Sequence, residues 1–319
     1  MDNLTHSLVG ALIGQAGLKR KTGLAMPALI IGANLPDVDA ACFFWLEGTE
    51  HLGFRRGITH GPPALVLLPL LLAGLLYGFD RWQASRGKRP EDRLPVSFTW
   101  LFLLSFIGCL THPALDWMNI YGIRLLEPFS SRWFYGDVLF IIDVWLWALL
   151  GFATWFSLQR EKRGGEWKRP ARAALAASLA YIGLNSAITY WSERTEMLSR
   201  EPYPTTAIAS PPPLAFWVRE RIIRTEDGRW YSDSWEGKAF GYGYHDPMRA
   251  RCAWPDVETL RRTNSGLDAF MVWSRAPFAV RADDGSVLIK DARFAMEGPG
   301  GDNFTVPLPD VNCEELPPQ

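Results

Sequence analysis

Apolar stretches separated by short polar connectors fill the first 191 residues of the chain, and after Ser192 the rhythm changes. Residues 62–79 (PPALVLLPLLLAGLLYGF) carry no charge. At about 1.5 Å per residue they come close to crossing a roughly 30 Å hydrocarbon core. Residues 96–112, 137–158 and 171–191 follow at similar lengths, each flanked by charged or Pro-rich connectors. Two earlier stretches, 4–17 and 24–46, are apolar but interrupted by polar groups. A helix of about thirteen residues reaches roughly 20 Å, so the first of these reads as a crossing or as a re-entrant segment. Beyond Ser192 come short alternating segments punctuated by turns. Pro202, Pro204 and Pro211 to Pro213 make a stiff linker, and residues 217–224 and 229–235 flank the turn at 225–228 as a hairpin. A second hairpin is predicted around Asp283-Asp284-Gly285, with a short helix near 256–262 between the two. The fold class predicted is mainly α: a multi-pass membrane helical bundle over residues 1–191, followed by a small β-rich (α+β) domain over 192–319.

Charge adds an orientation. The total is nearly balanced, 33 Lys and Arg against 34 Asp and Glu, which excludes a strongly basic nucleic-acid binder and an acidic disordered chain. If all six apolar stretches cross, one set of loops holds Lys19, Arg20, Lys21, Arg81, Arg86, Lys88, Arg89, Arg93, Arg160, Lys162, Arg163, Lys168 and Arg169. The other set holds only Arg55, Arg56, Arg124 and Arg132. Cytoplasmic loops are the basic ones, so both termini are expected outside the cytoplasm. Asp2, Asn3 and His6 stand where the basic region of a signal peptide belongs, and no cleavage site follows, so the N-terminal segment is expected to stay attached. In an oxidising space Cys252 and Cys313 would either pair or remain as two thiols. Trp133, Trp145, Trp147 and Trp155 read as interface anchors and core.

Four polar clusters interrupt the greasy half, where ionisable groups are costly and usually face a bundle interior or an aqueous cavity. They contain His6, then Asp37 and Asp39, then Arg55, Arg56 and His60, then His112 and Asp116; Asp143 adds a carboxylate in the next apolar stretch. His112 and Asp116, four apart, share one helix face. The six-crossing topology, which takes no account of histidines, places all seven His and Asp side chains toward the outer face. Imidazole and carboxylate donors suit Zn²⁺, with Mn²⁺ as the other fit. A metal would acidify bound water, and two metals would clamp a phosphoryl group. Asp143 reads equally as a ligand or as a partner holding a histidine tautomer. His245 reads as a surface residue, and Asn119, Tyr121 and Gly122 as the loop after the helix.

The stretches MDNLTHSLVG, GANLPDVD, RRGITHG, THPALDWMNIYG and LEPFSSRW resemble the inner-membrane, LexA-regulated metal-dependent hydrolases of the YdjM type, over roughly residues 1–150. The order His, Asp, His, then His-x-x-x-Asp also resembles zinc-dependent phospholipases C and single-strand nucleases. The likeness implies that His60, His112 and Asp116 bind one zinc, that His6 and Asp116 bind a second, and that Asp37 is the general base. Asp39 is then a ligand or supports one. Arg55 stands where relatives would carry His, so with Arg56 it is expected to contact an anionic substrate. The expectation is a bacterial inner-membrane hydrolase with one or two zinc ions on the periplasmic side. It would act on a phosphoester such as a phospholipid head group, with the bilayer as its partner and no nucleic acid. The alternatives are a cation or proton transporter using the same cluster, or a non-catalytic membrane anchor with a structural metal.

Overall fold

The computed structural model describes residues 1–199, 204–226, 230–235, 252–294 and 304–315, so His245 lies outside the described residues. The protein divides into two compact units. One comprises Met1–Val38, Arg56–Ala187 and Pro212–Phe216, the other Asp39–Arg55, Ile188–Pro211 and Trp217–Gln319.

The first unit is helical. Helix α1 (Asn3–Gln15) begins where the Asp2 carboxylate accepts from the Leu4 and Thr5 amides, supplying partners that a helix start otherwise lacks. Helix α2 (Ala25–Gly32) stops at Ala33, and a 3-10 stretch, Leu35–Phe44, follows at a bend of 51°, the form of a broken span or a re-entrant loop. After α3 (Glu50–Phe54), which belongs to the second unit, come α4 (Pro62–Ser85), α5 (Phe98–Trp117), α6 (Val144–Lys162) and α7 (Lys168–Ser199). Among the described residues three helices are long and apolar enough to cross a membrane: α4, α5 and α7 over Lys168–Thr195. Along α4 the most exposed side chains include Leu67, Leu71 and Leu75, each 60% exposed or more. Water would penalise such a stripe and lipid would not.

The expected span over 137–158 is shortened. Residues 137–143 are not helical: the Val138 and Leu139 amides both donate to the Met118 carbonyl, and α6 starts only after Asp143. Two apolar clusters hold the bundle, one built on Leu12, Leu139, Leu146 and Leu150, the other on Leu29, Ala73, Leu101 and Leu104. Helix α2 lies between α1 and α5 at very close range. A Cβ on Gly10 would stand 2.7 Å from the Leu29 carbonyl oxygen and one on Gly108 2.5 Å from the same atom, so only glycine permits this approach.

The second unit carries two three-stranded antiparallel sheets. The first orders β1 (Pro204–Ser210), β2 (Arg219–Thr225) and β3 (Trp230–Trp235), with Arg219 opposite Trp235. The second orders β4 (Pro277–Arg281), β5 (Ser286–Asp291) and β6 (Thr305–Asn312), with Val280 opposite Leu288. The strands of both predicted hairpins pair antiparallel, β2 with β3 and β4 with β5, while part of the first turn lies outside the described residues. The predicted short helix is α8 (Val257–Leu260), and a further helix, α9 (Ser265–Trp273), follows it, capped by Asn264. Residues from the N-terminal half join this unit: the Thr49 hydroxyl donates to the Gly266 carbonyl at 2.9 Å, and α3 packs on α9. Cys252 and Cys313 form a disulfide, while Cys42 and Cys109 are free and buried.

Candidate metal centre

The first unit gathers its polar side chains where four helices begin or end. His6 lies in the first turns of α1, Asp37 just beyond α2, His60 two residues before α4, and His112 and Asp116 in the last turns of α5. Asp37, His60, His112 and Asp116 each offer a ligand atom, and these atoms all lie within 4.8 Å of one another. The three imidazoles and the Asp116 carboxylate are fully buried.

Local hydrogen bonds fix how the imidazoles present themselves. Nδ1 of His112 is 2.7 Å from the Ala33 carbonyl oxygen, which can only accept. Nδ1 therefore carries a proton, which leaves Nε2 as the ring atom that can ligate an ion. That Nε2 stands 3.4 Å from Asp116 Oδ2 and 3.8 Å from Asp37 Oδ1 and has no hydrogen-bond partner among the described residues. A lone pair facing two carboxylates in a dry site is repulsive until a cation or proton lies between them. His60 has its Nδ1 2.9 Å from the Thr59 hydroxyl, a group that both donates and accepts, and its Nε2 3.7 Å from Asp116 Oδ2. The two imidazoles and two carboxylates present could thus hold a metal ion.

His6 is stacked on His112 with ring centroids 3.8 Å apart, its Nε2 3.4 Å from Asp116 Oδ1. It contacts the centre but is not one of the four convergent donors. The Met1 ammonium bonds to Asp116 Oδ1, so a positive group already stands on that side of the carboxylate.

Several expected roles change. Asp37, read as the general base, stands among the donors, whereas Asp39 does not; Asp39 is buried in the second unit and pairs with Arg55 at 3.3 Å. Arg55 also lies over the Phe43 ring at 5.4 Å. Arg56 is buried, not displayed to a ligand. Its Nε and Nη2 fork onto the two Asp116 oxygens at 3.1 and 3.2 Å, its Nη1 donates to Asn119 Oδ1 at 3.0 Å and to the Gly122 carbonyl at 3.1 Å, and its guanidinium stacks over Tyr121. Asp143 spends one oxygen on the Trp145 and Leu146 amides and the other on the Tyr181 hydroxyl, so it starts α6, and it is not among the four convergent donors. Sequence reasoning missed Ala33, whose carbonyl sets the His112 tautomer, and no side-chain motif marks it. It also treated Asn119 as loop; its position after the His-x-x-x-Asp helix was the signal available.

A helical membrane protein with a buried His and Asp centre at one end of its bundle is the class these features define. The sequence profile of the YdjM inner membrane protein family matches residues 1–192, and the chain belongs to that family. The Uncharacterized protein YfhP of Bacillus subtilis (strain 168) is 26% identical over 167 residues. That match covers 49% of this chain and 47% of the relative, so the chain spans about half that relative's length. No solved structure matches the chain.

Proposed function

We propose that the protein is a membrane-bound, metal-dependent hydrolase of phosphoesters, with a lipid head group as the favoured substrate class. The convergence of Asp37, His60, His112 and Asp116 carries this reading. His60, His112 and Asp116 would hold the ion, with zinc the best match to their donors, and Asp37 stands beside them as the general base. When bound, such an ion supplies Lewis acidity and lowers the pKa of water toward about 7. Around it, the carbonyl of Ala33 holds the His112 ring in the ligating tautomer, and the Arg56 fork fixes the Asp116 carboxylate. His6 walls the centre by stacking on His112. Asp37, whose side chain is 12% exposed while the other three are sealed, is the carboxylate that meets incoming water and accepts its proton.

The position of the centre at the ends of α4 and α5 supports head-group depth, because both helices are candidate spans. The bias of basic loops and the Cys252–Cys313 disulfide support a periplasmic centre and C-terminal domain. A transporter needs polar groups at successive depths, whereas these lie together at one end.

The test is elemental analysis of the detergent-purified chain beside hydrolysis of a phospholipid panel and bis(p-nitrophenyl) phosphate. The expected result is about one zinc per chain, lost in His112→Ala. Asp37→Asn should keep the metal and lose about 100-fold or more in turnover. A metal-free preparation, or a loaded one that cleaves no phosphoester, defeats the reading; metal-dependent flux in vesicles without hydrolysis would establish the transporter instead.

A further inference from the structure

The opposite end of α1 from His6 carries a second constellation that plays no part in the proposed hydrolysis. Thirteen helical residues separate the two ends, a rise of about 20 Å. There the indole of Trp167 is buried, its carbonyl accepting from the Ser157 hydroxyl at 2.7 Å. Three cations gather on its ring: Lys19 Nζ at 4.4 Å from the centroid, Arg20 at 5.3 Å and Lys168 Nζ at 5.5 Å. Arg172 is drawn in beside them, donating to the Ala16 carbonyl at 3.0 Å, and its Nη2 and the Lys168 side chain both lie 3.6 Å from where a Cβ on Gly17 would stand.

One aromatic face attracts one cation well, but several cations crowded onto it repel one another. Lys19 is matched by Glu161. Glu166 spends its carboxylate on the Lys168 amide. Arg20 and Arg172 remain exposed, and the first turn of α7 contains no acidic residue although it opens with Lys168 and Arg169. Cations at a helix N-terminus are unfavourable with the helix dipole, and an anion there is favourable. Glu161 and Glu166, the latter already at the start of α7, stand against Lys19, Arg20, Lys168 and Arg172, so positive charge remains in excess at this corner. The corner also lies at the end of α7, a candidate span, which is where head groups lie.

We propose that the Trp167 corner is a binding site for the phosphodiester of an anionic phospholipid in the adjoining leaflet. Arg20, Lys168 and Arg172 would supply the charge, with the buried indole beneath holding Arg20 and Lys168 in place. Basic pockets between membrane helices bind anionic head groups on this physical basis. The site is distinct from the metal centre and independent of its chemistry.

The test uses the full-length protein in zwitterionic detergent, with unfolding followed on heating. Dioleoylphosphatidylglycerol should raise the melting temperature, and dioleoylphosphatidylcholine at the same concentration should not. In Arg20→Gln/Lys168→Gln/Arg172→Gln the phosphatidylglycerol shift should fall by about half or more. Without anionic lipid that variant should be no less stable than the parent, since crowding is relieved. Arg86→Gln/Lys88→Gln, which removes exposed charge elsewhere, should keep the full shift. Should the triple variant fail to fold, Arg172→Gln alone must show the reduced shift. Equal shifts with the two lipids, an undiminished shift in the variants, or a shift reproduced by inorganic phosphate would overturn the proposal.

Discussion

Asp116 is the most heavily engaged side chain of the centre, and its surroundings decide what a substitution does. A buried carboxylate is tolerable because the Arg56 fork contacts both oxygens. Removing one partner of such a pair leaves an uncompensated charge, which costs about 3–5 kcal/mol. Arg56→Met should therefore lower the melting temperature of the metal-free protein and weaken zinc binding. Arg56→Lys should recover only part of either, because an ammonium cannot reproduce a planar fork. Melting temperatures of both variants equal to the parent's, measured by heating in detergent, would show that the fork carries no load. This role was not legible in the sequence, which shows an arginine beside a polar cluster but not whether it faces ligand or protein. The histidines were more legible, since an imidazole inside apolar sequence must find a partner. Asp143 misled for the converse reason: an acid that starts a helix and an acid buried within a membrane span look alike in one dimension.

At the scale of elements, the centre depends on how closely α2 and α5 approach. Gly108 faces the Leu29 carbonyl, and one turn further along the same helix the Ala33 carbonyl receives His112. Gly108→Ala should push the two helices apart at a cost of about 1–3 kcal/mol. It should also loosen zinc binding without touching a ligand, an effect that metal titration would detect and that unchanged affinity would refute. In the second unit, β5 ends on Asp291, whose oxygens accept from Arg293 Nε and Nη2, both at 2.8 Å, and from the Ser274 hydroxyl. Burial opposes its charged form, yet the Arg293 guanidinium and these hydrogen bonds outweigh it and hold the carboxyl below its ordinary value. A depressed folded pKa gives stability that is present above the unfolded value and lost as pH falls through the folded one. Unfolding of this unit should accordingly be insensitive to this group at neutral pH and become easier in acid. Asp291→Asn should flatten that acid dependence, which denaturation at several pH values would reveal. The hairpins were legible because Asp-Gly turns interrupt alternating strands. Helix α9 was not, since its nine residues fall below the length at which periodicity separates helix from strand, although Asn264 offered a cap signal.

For the whole molecule, the sequence revealed the change from greasy bundle to β-rich tail but not the division in space. Residues 39–55 belong with the second unit through contacts such as Thr49 with Gly266, which are remote in sequence and leave no local pattern. The disulfide closes a loop with a sequence separation of 61, for which chain entropy gives about 4 kcal/mol. If the tail is periplasmic, Cys252 and Cys313 should resist alkylation in intact cells until a reductant is added. Fusions after residues 90 and 165 should report cytoplasm, and one after 319 should not. Free thiols at both positions in untreated cells would place the tail on the reducing side.

The contribution of α5 to the centre has a consequence for biosynthesis. During synthesis Asp37 and His60 emerge well before His112 and Asp116, and Arg56 emerges without the carboxylate it later clamps. A nascent chain halted before α5 therefore holds the Arg56 guanidinium without the Asp116 carboxylate, and the Asp37 and His60 side chains without the α5 donors they later face. Quality control in the membrane would encounter that half-built state first, and the arrival of a single helix ends it.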